Sequence, residues 1–495
     1  MRCLVTGATG YIGGRLVPRL LAEGHAVRCL ARSPDKLRDV PWAERVEVAR
    51  GDVLDSESLH RAMGGVDVVY YLVHSLTEAG FAALDRRGAL LTAQAARDAG
   101  VSRIVYLGGP HPGGDRGAVS EHLGSRAEVG EIFLCSGVPT AVLQAAVVIG
   151  SGSASFEMLR HLTERLPVMV TPRWVRNRVQ PIAIRDVLHY LVGAALLPPE
   201  VNRSFDIGGP DVLTYEQMMQ RYAAVSGLPR RWMVPVALLS PRLSSHWINI
   251  VTPVPKGIGA PLIESLVHEA VCREDDIADF VPPPPGGRTG YDTAVRLALD
   301  KIRRGEVETH WSDASVPDSP SDPLPTDPGW AGGSWYVDHR SRRSSATPEQ
   351  LWHVVQGIGG SNGWYSFPLA WAARGWVDRL VGGVGLRRGR RHPQELRVGD
   401  ALDWWRVEEL RVDPADRMLR LRAEMKVPGY AWLELRVQAG SGGGSVYQQR
   451  AVFIPHGLAG HLYWWAVVPF HGIVFGGMAR NITRTAEGGN LMRSL

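Results

Sequence analysis

Three glycines spaced three residues apart follow the first apolar run of the chain, and they constrain its fold more than any other feature. Residues 3–5 are apolar and lead into Gly7, Gly10 and Gly13, after which apolar residues recur at helical spacing. In such a strand, turn and helix the backbone can approach a pyrophosphate, which the free N–H groups and positive dipole end of the helix then stabilise. The segment predicts a dinucleotide site. Its predicted contacts are Gly7, Thr9, Gly10, Tyr11, Ile12 and Gly13.

Strand-like and helix-like stretches alternate after this segment. Apolar strands are predicted at 26–31, 46–49, 67–73 and 104–107, with a long helix at 81–99. The strand at 67–73 is almost entirely apolar, which is typical of a strand buried on both faces. The alternation predicts an α/β fold built on a doubly wound parallel sheet.

The residue that follows the second predicted strand indicates which cofactor is preferred. An NAD-selective site usually has an acidic residue there to bind the ribose 2′-hydroxyl. This chain has Arg32, followed by Ser33 and Lys36, which suit a 2′-phosphate. We therefore predict that NADP(H) is preferred and NAD(H) is the weaker alternative. The competing interpretation is that Arg32 is a solvated arginine at the end of a strand.

The length and the change of pattern along the chain predict several domains. A chain of 495 residues exceeds one ordinary core. Residues 311–333 are rich in proline and acidic residues and are predicted to be a linker. We predict a nucleotide-binding domain at 1–310, with a substrate cap at about 151–310, and a second domain at 334–495. In that second domain, strict alternation at 418–427 and 431–437 predicts antiparallel strands, hence an α+β class.

The composition argues against a nucleic-acid partner, a cysteine metal site and an oxidising compartment. The net charge is +5 with basic residues spread along the chain, which does not indicate nucleic-acid binding. The four cysteines form no CxxC pair, which fits a reduced cytosol and gives no metal site. We expect a cytoplasmic protein that binds a small molecule and no metal. The sequence indicates no oligomeric state.

The motifs together resemble a known family. The glycine motif, Gly51-Asp52-Val53, Gly150-Ser-Gly152 and the segment 181–187 are similar to the extended and atypical short-chain dehydrogenase/reductases, including the NmrA-like proteins, over about residues 1–300. This resemblance implies that Asp52 and Val53 also contact the cofactor in a Rossmann-type domain. The motifs at 383–391, 403–407 and 423–429 carry a second resemblance, by which residues 335–478 are similar to a C-terminal domain of unknown function that is fused to such reductases. That resemblance implies a helix-grip, START-like cup.

The chain departs from the family at the catalytic positions. Active members use a serine followed by a Tyr-x-x-x-Lys pair, whereas this chain has Gly108-Gly109, then His122 and Arg126 at the matching spacing. We predict His122 as the proton-transfer group, since histidine titrates near neutral pH, and Arg126 as a residue that holds the cofactor. The alternative is that His122 is a surface histidine. His74 and Ser75, with Tyr70 and Tyr71, could also border the nicotinamide, although aromatic residues of a strand more often belong to the core.

Two interpretations of function remain open at this point. One is an oxidoreductase that transfers hydride to a small carbonyl or enone compound, and the other is a non-catalytic NADP(H) sensor. The basic run Arg387–Arg391 is either an anion site or a solvated loop. Residues 451–479 contain no Asp, Glu, Lys or Arg, although three histidines add polarity. They predict a buried helix at about 457–480, with peripheral membrane contact as the alternative.

Overall fold

The computed structural model describes residues 1–75, 78, 80–110, 120–236, 251–303, 334–359, 363–366, 395–414, 416–440 and 443–488. The chain divides into two compact units, Met1–Gly333 and Ser334–Leu495. The predicted linker at 311–333 and the basic run Arg387–Arg391 lie outside the described residues.

The N-terminal unit alternates strands and helices from its first residues onward. In chain order its elements are β1 (Arg2–Thr6), α1 (Tyr11–Ala22), β2 (Ala26–Ala31), β3 (Glu47–Arg50), α2 (Ser56–Met63), β4 (Val68–Tyr71), α3 (Phe81–Asp98), β5 (Arg103–Gly108), α4 (Glu121–Leu134), β6 (Thr140–Ala145), β7 (Val148–Ile149), α5 (Ala154–Arg165), β8 (Val168–Thr171), β9 (Arg178–Val179), β10 (Ile182–Ala183), α6 (Ile184–Ala194), β11 (Arg203–Ile207), β12 (Leu213–Thr214), α7 (Tyr215–Ser226), β13 (Trp232–Pro235), α8 (Lys256–Ser265) and α9 (Tyr291–Arg303).

A seven-stranded sheet forms the centre of this unit. Its order is β11-β6-β5-β4-β1-β2-β3, and all neighbouring strands are parallel. Strands β4 and β5 are buried along their whole length because apolar cores lie on both faces of the sheet. The prediction of a doubly wound, Rossmann-type parallel sheet is confirmed. Strand order reverses between β1 and β4, which is where ligands bind in open sheets of this kind.

Helices α5, α7 and α9 with several short strands build a smaller layer around a core of their own. However, α6 packs into the core beneath the main sheet, and β11 pairs in parallel with β6. The segment 151–310 is therefore not a continuous cap, because the chain returns from the cap to the sheet and leaves it again.

The C-terminal unit has an antiparallel sheet. Its elements are β14 (Tyr336–Ser344), α10 (Pro348–Gln356), β15 (Ala401–Leu402), β16 (Trp405–Asp413), β17 (Asp416–Ala423), β18 (Gly429–Ala439), β19 (Ser445–Pro455) and α11 (Gly457–Ala486). The sheet order is β14-β19-β18-β17-β16-β15. Alternate apolar residues such as Leu419, Leu421 and Leu433 form a core with Met478 of α11. The predicted α+β class of this half is confirmed at the level of an antiparallel sheet.

Helix α11 is buried on one face only, so the prediction of a buried helix is only half right. Trp464, Met478 and Ile482 are buried, whereas Trp465 and Ile473 are 65% and 67% exposed. The helix packs against β14 and β19 with one side, since a single sheet face can cover only one side of a helix. The length and composition of α11 would also allow it to cross a membrane. In its most apolar 18-residue stretch, 22% of the residues are buried. Core helices of soluble proteins can have the same length and composition.

Candidate functional site

The turn between β1 and α1 can be made only with glycine at two positions. Gly7 has φ +77°, and a Cβ atom there would lie 2.8 Å from the carbonyl oxygen of Leu72. A Cβ on Gly13 would lie 2.3 Å from the carbonyl oxygen of Gly7. The Gly10 amide donates to the Gly7 carbonyl at 2.9 Å and closes the turn. The backbone is thus compact and lacks side chains where a pyrophosphate would approach.

The N-terminus of α1 is left open to an anion. Gly10 is its N-cap and supplies no side-chain hydrogen bond, and the first turn of α1 contains no acidic residue. The N–H groups of this turn and the positive end of the helix dipole therefore lack a competing carboxylate. These features fit the diphosphate group of a dinucleotide.

A cleft at the carboxyl ends of β1 and β4 brings most of the predicted cofactor residues together. The predicted residues that line it are Gly7, Thr9, Gly10, Arg32, Ser33, Asp52 and Val53. The Asp52 carboxylate accepts the Leu54 amide at 3.0 Å, which fixes the turn after β3. Gly13 does not line the cleft but supports it by its close packing on Gly7.

Arg32 stands at the rim of the cleft. Its side chain is 71% exposed, and Ser33 and Lys36 line the same region. Glu78, which the sequence did not single out, lies 3.6 Å from the Arg32 guanidinium. At this rim two basic residues can attract a phosphate, whereas one acidic residue repels it.

A second cavity adjoins the cleft and contains the remaining predicted residues. Tyr11, Ile12, His122 and Arg126 line this cavity, which we call the substrate cavity. His74 lines both the cleft and the substrate cavity. It therefore marks the place where a cofactor in the cleft and a substrate in the second cavity would meet.

His74 is paired with a buried carboxylate. Its Nδ1 is 2.8 Å from Oδ2 of Asp85, which is 4% exposed in α3. Burial alone would raise the pKa of Asp85, but hydrogen bonds with His74 and Ser75 outweigh it and leave the pKa below its usual range. Asp85 is thus ionised and accepts the Nδ1 hydrogen. Nε2 of His74 is buried and has no hydrogen-bond partner among the described residues.

His122 is not a surface histidine, although it is held differently from His74. Its Nδ1 is 2.9 Å from the Ser265 hydroxyl of α8, and its ring stacks on that of His74 with centroids 5.1 Å apart. Burial, with the nearby charge of Arg126, lowers the pKa of His122 to about 3. The imidazole is therefore neutral at pH 7. This burial argues against the predicted titration of His122 near neutral pH, and a sequence pattern does not reveal it.

The Arg126 side chain forms a hydrogen bond with the protein backbone. Its guanidinium donates to the Leu107 carbonyl and lies 5.3 Å from the centroid of the Tyr106 ring. It lines the substrate cavity at the end of β5, next to Gly109, where it can still contribute positive charge. Its predicted role in holding the cofactor stays a prediction.

Sequence reasoning missed Asp85 and Ser265, and of its two alternatives for Tyr70 and Tyr71 the structure supports a place in the core. Tyr70 and Tyr71 are at most 1% exposed and belong to the cores on either side of the sheet. The signal for Asp85 was present: it lies at helical spacing with Gly88, Ala89 and Thr92 on the buried face of α3. A carboxylate on a buried helix face needs a polar partner, which here is His74.

Comparisons with known proteins support NAD(P)H binding by the N-terminal unit. Residues 7–127 match the family described as NAD(P)H-binding. The N-terminal unit contains an NAD(P)H-binding, reductase-like domain. Residues 330–478 match a family described as a protein of unknown function (DUF2867), so the predicted C-terminal domain is present.

Several relatives resemble the reductase-like domain. Ceramide reductase of Caulobacter vibrioides is 28% identical over 302 residues, which are 59% of this chain and 92% of that enzyme. An uncharacterised protein of Mycobacterium tuberculosis is 26% identical over 239 residues, which are 48% of this chain and only 24% of that protein. The structure of Citrobacter sp. triphenylmethane reductase complexed with NADP(H) is 22% identical with a TM-score of 0.48, covering 60% of this chain and 100% of that one.

Proposed function

We propose that this protein is an NADP(H)-dependent reductase that acts on a carbonyl group or a conjugated double bond of a small molecule. The observation that carries the proposal is the position of the His74–Asp85 pair. The pair lies where the cofactor cleft and the substrate cavity meet, with Nε2 of His74 unpartnered among the described residues. A relative with 92% of its length matched is named a reductase, which agrees with this class.

The residues of the cleft would hold the cofactor in three places. The N-terminus of α1 with Gly7 and Gly10 would bind the diphosphate, and Asp52 and Val53 would border the adenosine part. The preference for NADP(H) rests on Arg32, with Ser33 and Lys36, next to the 2′-phosphate. Glu78 reduces this preference because its carboxylate repels the same phosphate.

The cofactor supplies a hydride, so the protein must supply one proton to the reduced group. In its protonated form His74 can donate from Nε2, while Asp85 stabilises the imidazolium through Nδ1. His122 is the sequence-predicted alternative, but its neutral ring is suited to hydrogen bonding and to stacking on His74 rather than to donating a proton. We therefore assign proton transfer to His74 and positioning of His74 to Asp85 and His122.

The competing function is an NADP(H) sensor without turnover. It is favoured by Gly109, His122 and Arg126 at the positions where active family members have serine, tyrosine and lysine. The two functions differ in whether bound NADPH is consumed.

NADPH absorbance, followed with a panel of aldehydes, ketones and enones, tests the proposal. We expect turnover that His74→Gln lowers by ~10²–10⁴-fold, which is the usual contribution of a positioned acid or base. His60→Gln is a matched control, because His60 also contacts an aspartate, Asp98 at 3.2 Å, but lies outside the site. Tight NADPH binding without turnover of any panel member would favour the sensor.

We further infer that the C-terminal unit is a helix-grip, START-like cup. The inference is supported by β14 and β19 meeting at one edge of the sheet and by the long C-terminal helix α11 packed against both strands. An experimental structure of the full chain with α11 detached from the sheet would contradict it.

A further inference from the structure

The cap layer of the reductase-like domain contains an apolar cavity, which we call the cap cavity. Its walls come from α5, β8, α7 and α8 and include Met158, Leu162, Met169, Val175, Met218 and Ile263. None of the described residues that line it is charged. Its volume of about 80 Å³ is several times the ~10–15 Å³ that one water molecule needs. It offers room for a ligand but few polar partners for water.

The cap cavity adjoins the substrate cavity. Val147, Ser155, Tyr215 and Leu266 form part of the wall of both. The polar groups that can contact a reducible carbonyl, His74, His122 and Ser265, all lie on the substrate-cavity side. A molecule that occupies both spaces would therefore have a polar reactive end and an apolar remainder.

The burial of Tyr215 in the shared wall supports this division. Tyr215 is 8% exposed, and burial raises the pKa of its hydroxyl well above the usual range. Its ring lies edge-on to Trp174 at 6.3 Å. An apolar group that moves from water into such surroundings is stabilised in proportion to the area it buries.

We propose that the substrate is a carbonyl compound with an apolar chain of several carbons, which enters the cap cavity while the carbonyl stays beside His74. The proposal rests on the proposed reductase function and adds the substrate class to it. It assigns Met158, Leu162 and Met218 to chain-length specificity and not to chemistry.

The test uses the full-length protein saturated with NADP⁺ and a series of primary alcohols from 1-propanol to 1-octanol, titrated by calorimetry. We expect affinity to rise roughly fourfold per methylene over part of the series, which corresponds to about 0.8 kcal/mol per buried CH₂. Met158→Gln keeps the shape of the side chain and adds polarity. It should therefore lower the affinity for 1-octanol at least tenfold and leave the affinity for 1-propanol unchanged. Leu162→Gln is a second variant in case the first does not fold.

Met233→Gln is the matched control, because Met233 of β13 packs against the same core but does not line the cap cavity. If 1-octanol binds no tighter than 1-propanol to protein that binds NADP⁺, the chain proposal fails and the reductase proposal stands. Unchanged 1-octanol affinity in both cavity variants would place the alcohol elsewhere and also overturn the chain proposal. Failure to bind NADP(H) would overturn the reductase proposal itself and this inference with it.

Discussion

At the scale of single residues, two opposite charges lie at the rim of the cleft where we propose that the cofactor preference is set. Arg32 can form a charge-assisted hydrogen bond to a 2′-phosphate, whereas Glu78, 3.6 Å from it, acts against that phosphate. Both side chains are largely exposed, so solvent screens the contribution of each.

We expect Arg32→Ala to weaken NADP(H) binding by roughly tenfold to a hundredfold, since a hydrogen bond to a charged group contributes ~1.5–3 kcal/mol. NAD(H) affinity should stay nearly unchanged, and Glu78→Gln should strengthen NADP(H) binding. Calorimetry measures all three, with Arg38→Ala as control because Arg38 pairs with Asp35 and does not line the cleft. Equal wild-type affinities for the two cofactors would refute the preference.

If the proposed reduction uses the His74–Asp85 pair, its rate should depend on pH through that pair. The pKa of His74 lies below its usual 6.5 because burial disfavours the charged ring. The hydrogen bond to Asp85 offsets only part of this effect. Protonated His74 is thus a minor form at pH 7, and its fraction grows as pH falls until the pKa is passed. We expect kcat/KM for reduction to rise with falling pH and then level off.

Asp85→Asn should shift that plateau to lower pH, because it removes the carboxylate that raises the pKa of His74. Asp98→Asn, at the exposed His60 pair, should leave the profile unchanged. A profile that is identical in Asp85→Asn and wild type would exclude His74 as the proton donor.

Gly13 of α1 and Gly124 of α4 differ in the space that a larger side chain would find at each position. Gly13→Ala should destabilise the reductase-like domain and abolish cofactor binding, because its Cβ would lie 2.3 Å from a backbone oxygen. Gly124→Ala in α4 meets no atom within 4 Å and should stabilise the protein by up to ~1 kcal/mol through helix propensity. Urea denaturation measures both, and a stable Gly13→Ala variant with normal NADPH affinity would contradict the prediction.

At the scale of elements, α11 presents an apolar face to solvent. Leu462, Trp465, Phe470 and Ile473 are each more than 60% exposed, and exposed arginines, Arg480 and Arg484, follow near the end of the helix. Exposed tryptophan and other apolar side chains followed by basic ones can insert at a membrane interface, where tryptophan is enriched. We propose that α11 makes peripheral contact with anionic lipid.

Sedimentation with phosphatidylglycerol vesicles tests this contact. The double substitution Trp465→Ser, Phe470→Ser should lower the bound fraction at least tenfold, since each buried aromatic side chain contributes ~1.5–3 kcal/mol. Trp232→Ser removes an equally exposed tryptophan, 72% exposed in β13, and should have no effect. Equal sedimentation of the wild-type protein and the double variant would argue against lipid contact by this face.

At the scale of the whole molecule, the chain is built from two units with different strand patterns. The parallel sheet of Met1–Gly333 and the antiparallel sheet of Ser334–Leu495 share no strand among the described residues. We expect limited proteolysis to cut within 311–333 and to leave two fragments that resist further digestion. Preferential cutting within β17 or β18 would show that the second unit does not fold as a separate body.

The sequence by itself determined the features that depend on neighbouring residues. The glycine turn, the alternation of strands and helices and the residue after β2 follow from steric and periodic rules that act within a few positions. Only the tertiary structure decided what depends on burial and on distant contacts. Asp85 reaches His74 across the end of a strand, Ser265 comes to His122 from another layer, and the sheet covers one face of α11. A pKa and the exposure of a helix face are set by the atoms packed around them, and these come from segments that the local pattern does not bring together.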